Sequence, residues 1–100
     1  GLGYDFEIYN GDTRWLFEVK STTTSGPLKL QSLELGSTEF DCADMHKADR
    51  RVHYRILYVT DALHPENARI FPLPNPRSRA GLLFFTDRQA GRRLYFPLKP

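Results

Sequence analysis

A chain of 100 residues is the size of one small domain, and with 40% of its positions apolar and 13% aromatic it can bury a core, which excludes a disordered tract or a fibrous repeat. Its longest apolar run, Leu82-Leu83-Phe84-Phe85, falls far short of the roughly 20 residues of a membrane span, nothing in it resembles a signal peptide, and the single cysteine, Cys42, rules out an intramolecular disulfide. An intracellular, reducing location without a membrane partner is therefore expected. The net charge is +2, unevenly placed: residues 1–50 carry five Lys/Arg against nine Asp/Glu, and residues 51–100 nine against three. An acidic half suited to a divalent cation precedes a basic half suited to phosphate.

Tyr4 to Tyr9 alternates apolar with acidic residues, and Trp15 to Lys20 alternates in its second half, both at the period of a half-buried strand. Between them Asn10-Gly11-Asp12-Thr13 offers either Asn-Gly or Gly-Asp as a two-residue hairpin loop. Ser21 to Pro27 reads as a loop, with short extended pieces at Leu28-Lys29-Leu30 and Leu33-Glu34-Leu35. Gly36 and Ser37 open a helix expected to run from about Ser37 to Asp49, with Glu39 in its first turn and Phe40, Ala43 and Met45 or His46 on one face. Tyr54 to Val59 is a buried strand by its β-branched and aromatic content. A loop from Thr60 to Asn67 leads to a strand at Arg69-Ile70-Phe71, ending at Pro72. After an irregular basic connection through Arg77 and Arg79, Gly81 to Thr86 and Arg93 to Pro97 suggest a C-terminal hairpin with its turn at Asp87 to Gly91.

Strand alternation puts Glu18 and Lys20 on one face and Phe17 and Val19 on the other. If Gly11-Asp12 is the loop, Asp5 lies across from Glu18; if Asn10-Gly11 is the loop, Asp5 faces Leu16 and Glu18 is its diagonal neighbour. Either turn gathers Asp5, Glu18 and Lys20, leaving Tyr4, Phe6, Phe17 and Val19 to face the core. Two carboxylates opposed in a sheet repel unless something neutralises them. Mg²⁺ would, because it takes one or two carboxylates and completes its shell with water and phosphate oxygen, while a nearby lysine orients the attacking water or stabilises charge developing on phosphorus. An exposed polar strand with a surface ion pair would use the same spacing.

Gly3-Tyr4-Asp5, the hairpin, and Phe17-Glu18-Val19-Lys20-Ser21-Thr22 resemble the D-(X)n-E-X-K signature of the PD-(D/E)XK nuclease superfamily, with Tyr4 where proline often stands. Leu35 to Phe40 with Ala43, then Tyr54 to Val59, then Leu73-Pro74-Asn75-Pro76, are similar in order to the NO VEIN C-terminal domain family within it. The resemblance covers about residues 1–76. It implies metal-binding Asp5 and Glu18, catalytic Lys20, an accessory Glu39, and Mg²⁺ or Mn²⁺ as cofactor. It also implies a restriction-endonuclease-like fold that lacks the superfamily's N-terminal helix and first strand, as in part of a larger polypeptide.

The expected architecture is α/β: a mixed sheet with the hairpin at the site and a flanking helix, residues 1–76 forming the core and 77–100 a basic extension packed on the same domain. The expected function is Mg²⁺-dependent hydrolysis of phosphodiester bonds, in DNA first, within a restriction, repair or defence protein; the alternative is a module of the same fold that no longer cuts and binds nucleic acid or a partner protein. Arg77, Arg79, Arg92 and Arg93, interleaved with Phe84, Phe85 and Tyr95, are the candidate nucleic-acid contacts. Cys42 and His46 have the i, i+4 spacing of two zinc ligands, but no second cysteine supports a zinc site. No Walker loop or dinucleotide fingerprint is present.

Overall fold

The first hairpin closes on Gly11-Asp12. Gly11 has φ +62°, the left-handed conformation that a two-residue turn of the II′ kind requires at its first central position. It joins β1 (Phe6–Asn10) to β2 (Thr13–Ser21) in antiparallel register, with Asn10 opposite Thr13 and Phe6 opposite Phe17. That is the Gly-Asp alternative of the two turns. The computed structural model describes residues 2–24, 30–88 and 92–98.

After β3 (Gln31–Glu34) and α1 (Ser37–Met45), the chain returns as β4 (Val52–Thr60), parallel to β2 with Glu18 beside Ile56 and Lys20 beside Tyr58. The strand β5 (Arg69–Leu73) pairs antiparallel with β4, giving a mixed four-stranded sheet in the order β1-β2-β4-β5. The short helix α2 (Arg79–Phe84), β6 (Thr86–Asp87) and β7 (Arg93–Phe96) complete the chain, and β3, β7 and β6 form a second, antiparallel sheet. The fold is mixed α/β.

One core serves all of it. Leu16, Tyr54, Ile56, Tyr58 and Leu73 from the large sheet meet Leu33, Leu94 and Phe96 from the small one, with Ala43 of α1 and Phe85. Residues beyond position 76 thus share the core of those before it. Asn75, almost fully buried, ties three segments: its side-chain amide donates to the Ala43 carbonyl at 2.9 Å, its side-chain oxygen accepts from the Arg77 amide at 2.8 Å, and its backbone carbonyl accepts from the Ser78 amide at 3.0 Å.

Several expectations need correction. Residues Gly81 to Phe85 are not a strand: Ser78 caps α2 by accepting from the Gly81 amide, and only Thr86 and Asp87 pair with β7. The apolar run Leu82-Leu83-Phe84-Phe85 fits a short helix as well as a strand, and the serine cap decides. The helix α1 ends at Met45, four residues early, and His46, not the exposed Met45, shares the inner side with Phe40 and Ala43. Strand β5 runs through Pro72, which an edge strand tolerates, and β1 starts at Phe6. Positions 28, 29 and 89–91, assigned above to an extended piece and a turn, lie outside the described residues.

The largest correction concerns which face of the sheet is covered. Alternation is as expected, but α1 and the small sheet pack on the face carrying Leu16, Glu18, Tyr54 and Ile56. Tyr4 does pack against the core. Phe6, Phe17 and Val19 lie on the opposite face, where Phe6 is 40% and Val19 38% exposed and Phe17 is half-buried. Alternation within a strand assigns residues to two faces; the crossover through α1 decides which of them is buried.

Candidate active site

The segment before β1 is held against α1 by contacts that only glycine permits. Gly3 has φ +88°, and a Cβ there would stand 2.7 Å from both Cys42 Cβ and the Thr38 carbonyl oxygen. The hydroxyl of Tyr54, buried near the start of β4, donates to the Gly3 carbonyl at 2.9 Å. Two residues on, the Asp5 amide donates to the Phe17 carbonyl at 2.8 Å, and Asp5 Oδ2 accepts from the Val19 amide at 2.7 Å. This carboxylate is therefore anchored to β2 beside Glu18.

Asp5, Glu18 and Glu39 line one open cleft of about 250 Å³, together with Gly3, Tyr4 and the first turn of α1 from Gly36 to Thr38. Glu18 points inward and is 6% exposed. Lys20 Nζ lies 2.7 Å from Glu39 Oε1 and 3.7 Å from Glu18 Oε2. The same Glu39 oxygen accepts from the Gly36 amide at 3.0 Å, so the residue that holds the lysine also caps its own helix. All four residues predicted for catalysis come together.

Burial pushes the Glu18 carboxyl up to about 7, aided by the charges of Glu39 and Asp5 and opposed in part by Lys20. Burial also works against the charge on Glu39, but hydrogen bonds from Lys20 and the Gly36 amide outweigh it and hold Glu39 below its ordinary value. Glu18 and Glu39 shift one another in opposite directions, so a proton held by the pair sits on Glu18. A divalent cation in the cleft would replace that proton.

Among the described residues no three His, Cys, Asp or Glu side chains form a ready-made metal cage. Zinc would need one, whereas Mg²⁺ takes one or two carboxylates and keeps its waters. Asp5, exposed at the mouth, and Glu18 at the floor supply such a pair. Elsewhere, the Cys42 thiol is pushed up by burial, and His46 Nδ1 lies 3.3 Å from Asp49.

The four candidate nucleic-acid arginines are placed differently. Arg77 Nε lies 3.0 Å from Asp44 with its guanidinium over the Phe40 ring, and Arg93 lies 3.0 Å from Glu34. Arg79 and Arg92 are exposed. Tyr54 is the contributor that sequence reading passes over, because its buried alternation in β4 looks like ordinary core and nothing local marks its hydroxyl. Comparison with protein-family models, with curated proteins and with solved structures finds no match for this chain. No described helix is long and apolar enough to cross a membrane.

Proposed function

We propose that the domain is a metal-dependent nuclease: it binds Mg²⁺ or Mn²⁺ through Asp5 and Glu18 and hydrolyses phosphodiester bonds, in DNA first, as part of a larger intracellular restriction, repair or defence protein. The observation that carries this reading is that Asp5, Glu18 and Glu39 line one cleft, while the Lys20 ammonium lies 2.7 Å from Glu39 and 3.7 Å from Glu18. The order of elements supports it as well. An acid just before the first strand of a hairpin and Glu-X-Lys on its second, then a helix and a parallel strand beside the second, is the order that the resemblance to the restriction-endonuclease-like core and the NO VEIN C-terminal pattern implies.

When bound, the cation polarises a phosphate oxygen and lowers the pKa of water. Asp5 and Glu18 would hold it, Glu18 in its ionised form. Lys20, held by Glu39 beside Glu18, would stabilise charge developing on the phosphate or orient the attacking water. Glu39 touches neither phosphate nor cation in this scheme; it fixes the lysine and the start of α1 together.

A second reading rests on the same electrostatics. Lys20 beside Glu39 and Glu18, with the Glu18 carboxyl pushed towards its neutral form, offsets much of the acids' charge without a cation, as a module that binds nucleic acid or a protein without cutting would require. Mg²⁺-dependent cleavage of single-stranded, duplex and branched DNA by the parent protein, compared with Asp5→Ala and Lys20→Ala, separates the two. Cleavage lost in both variants supports the nuclease; no metal-dependent cleavage by the parent, or undiminished cutting by Lys20→Ala, leaves the binding module.

A further inference from the structure

The cleft that holds Asp5 and Glu18 has a neighbour. Leu2, Tyr4 and Thr38 line both that cleft and a second open hollow of about 340 Å³, to which β2 contributes Arg14 and Leu16 and α1 contributes Asp41 and Met45. The segment shared by the two is fixed, because Gly3 is buried against Cys42 and the Thr38 carbonyl. A hollow of this size, with mostly apolar walls and a few polar groups, has the make-up of a small-molecule site. Met45, 75% exposed on an otherwise well-packed helix, lies in its wall and takes no part in the metal cleft.

The charges in the second hollow select a neutral ligand. Arg14 Nε bonds to Glu7 and Arg14 Nη2 donates to the Tyr4 hydroxyl at 2.9 Å, so its charge is offset while Nη1 has no partner among the described residues. Asp41, on the α1 side, is exposed and has neither hydrogen bond nor ion pair among the described residues. A free phosphate would meet that carboxylate and a cation already paired. A hydrocarbon chain would leave both polar groups without a partner. A planar heterocycle with an acceptor and donors on its edge satisfies both, and the Tyr4 ring and the Met45 thioether give it polarisable surface to lie against.

Of the DNA bases, guanine alone sets a carbonyl acceptor, O6, beside two adjacent donors, N1–H and N2–H. The acceptor suits the free Nη1 of Arg14, and the paired donors suit the two oxygens of Asp41. In duplex DNA all three groups are engaged by cytosine. A base that presents them to the protein is therefore unpaired.

We propose that this hollow receives an unpaired guanine beside the phosphate in the cleft, with Arg14 Nη1 donating to O6 and Asp41 accepting from N1–H and N2–H. The substrate is then a single strand, or a duplex with that guanine turned out. The position of the cut rests on the nuclease reading, whereas the binding of the base does not.

The test uses the 100-residue chain in EDTA and short DNA strands, with the methyl resonance of Met45, the only methionine, as reporter. A five-nucleotide strand with one central guanine among thymines should shift that resonance and bind about tenfold tighter than strands with adenine, cytosine or thymine in its place. Hypoxanthine, which lacks the N2 amino group, should bind about tenfold more weakly than guanine to the parent, and less than twofold more weakly to Asp41→Asn. Equal binding of the four strands overturns the assignment. So does a guanine preference that Asp41→Asn leaves intact, or the same Met45 shift with inorganic phosphate alone. In the parent protein with Mg²⁺, cuts in a single strand should cluster beside guanine, and Asp41→Asn should remove that bias. Guanine binding without any cleavage keeps the guanine site and refutes the nuclease reading; cleavage with neither guanine binding nor bias does the opposite.

Discussion

The Tyr54 hydroxyl and the Gly3 carbonyl, 2.9 Å apart, connect the buried first half of β4 to the backbone two residues before Asp5. Replacing Tyr54 by phenylalanine keeps the ring in the core and leaves the buried Gly3 carbonyl without this donor, at a cost of about 1–3 kcal/mol. The expected outcome is a lower melting temperature together with weaker Mg²⁺ binding, because the backbone leading into Asp5 loses one of its ties while the bonds to Phe17 and Val19 remain. Tyr58→Phe, which removes a hydroxyl that donates to Gln31 at 2.7 Å, should lower the melting temperature and leave Mg²⁺ binding unchanged. Calorimetry of both variants with and without Mg²⁺ makes the comparison.

Glu18 makes stability depend on pH in the direction opposite to an ordinary salt-bridged acid. Its carboxyl is raised from 4.5 to about 7, so the folded state binds the proton more tightly than the unfolded state does. The stabilisation is complete below about pH 4.5 and fades as pH rises through 7. Glu18→Gln, neutral throughout, should flatten this decline and be more stable than the parent at pH 8 by about 1–2 kcal/mol. Urea unfolding at intervals from pH 5 to 8 measures it; parallel curves for the two proteins would contradict the prediction. Mg²⁺ should stabilise the parent more at pH 8 than at pH 5.

Removing the lysine should separate metal binding from chemistry. Lys20→Ala leaves Glu18 and Glu39 facing each other without the ammonium, so the melting temperature at pH 8 should fall and Mg²⁺ should restore more of it than in the parent. Cleavage in saturating Mg²⁺ should drop by 10²-fold or more, the scale of a lost proton-transfer or charge-stabilising group. Asp5→Ala should do the reverse to the metal response: Asp5 is exposed, the domain stays folded, and the shift with Mg²⁺ shrinks. Thermal melts over a Mg²⁺ titration distinguish the two.

Much of this site was legible in the sequence because it depends on parity. Two-residue turns put Asp5 and Glu18 on one face in either register, and Glu39 follows from the helix start at Gly36. The burial of Glu18 was not legible. Phe17 and Val19 are more apolar than Glu18 and Lys20, and local hydrophobicity assigns them to the core, yet α1 and the small sheet settle on the other side. Tertiary packing overrides local preference there, as it does at Gly81 to Phe85, where four large apolar residues suit either helix or strand.

If the domain holds nucleic acid through its basic half, the four arginines should contribute unequally. Arg77 and Arg93 are spent on Asp44 and Glu34, whereas Arg79 and Arg92 are exposed. The salt dependence of DNA affinity should flatten by about one unit of slope for each of Arg79→Gln and Arg92→Gln, and by less for the other two. Fluorescence anisotropy between 50 and 200 mM salt tests this; equal slopes in all four variants would place the contact elsewhere.

Gly81 should be intolerant of change. A Cβ at this position would lie 1.9 Å from the Asn75 carbonyl oxygen and 2.8 Å from Pro76 Cα, both rigid backbone. Gly81→Ala should cost more than about 4 kcal/mol or prevent folding, a loss that surface glycines such as Gly11 do not share in kind. Soluble expression and chemical unfolding are the measurements.

The parallel pairing of β2 with β4 also sets an order of assembly. The β1–β2 hairpin is local, while each rung from Arg14–Val52 to Ser21–Val59 joins residues about 40 positions apart and must wait for a long loop to close. Asp5, Glu18 and Lys20 are thus brought together early, on a ribbon with neither its helix nor its central neighbour, and Glu39 arrives only with the slow step. During that interval the carboxylates stand in water, so a divalent ion gains its full set of contacts only in the finished cleft and should slow unfolding more than it speeds folding.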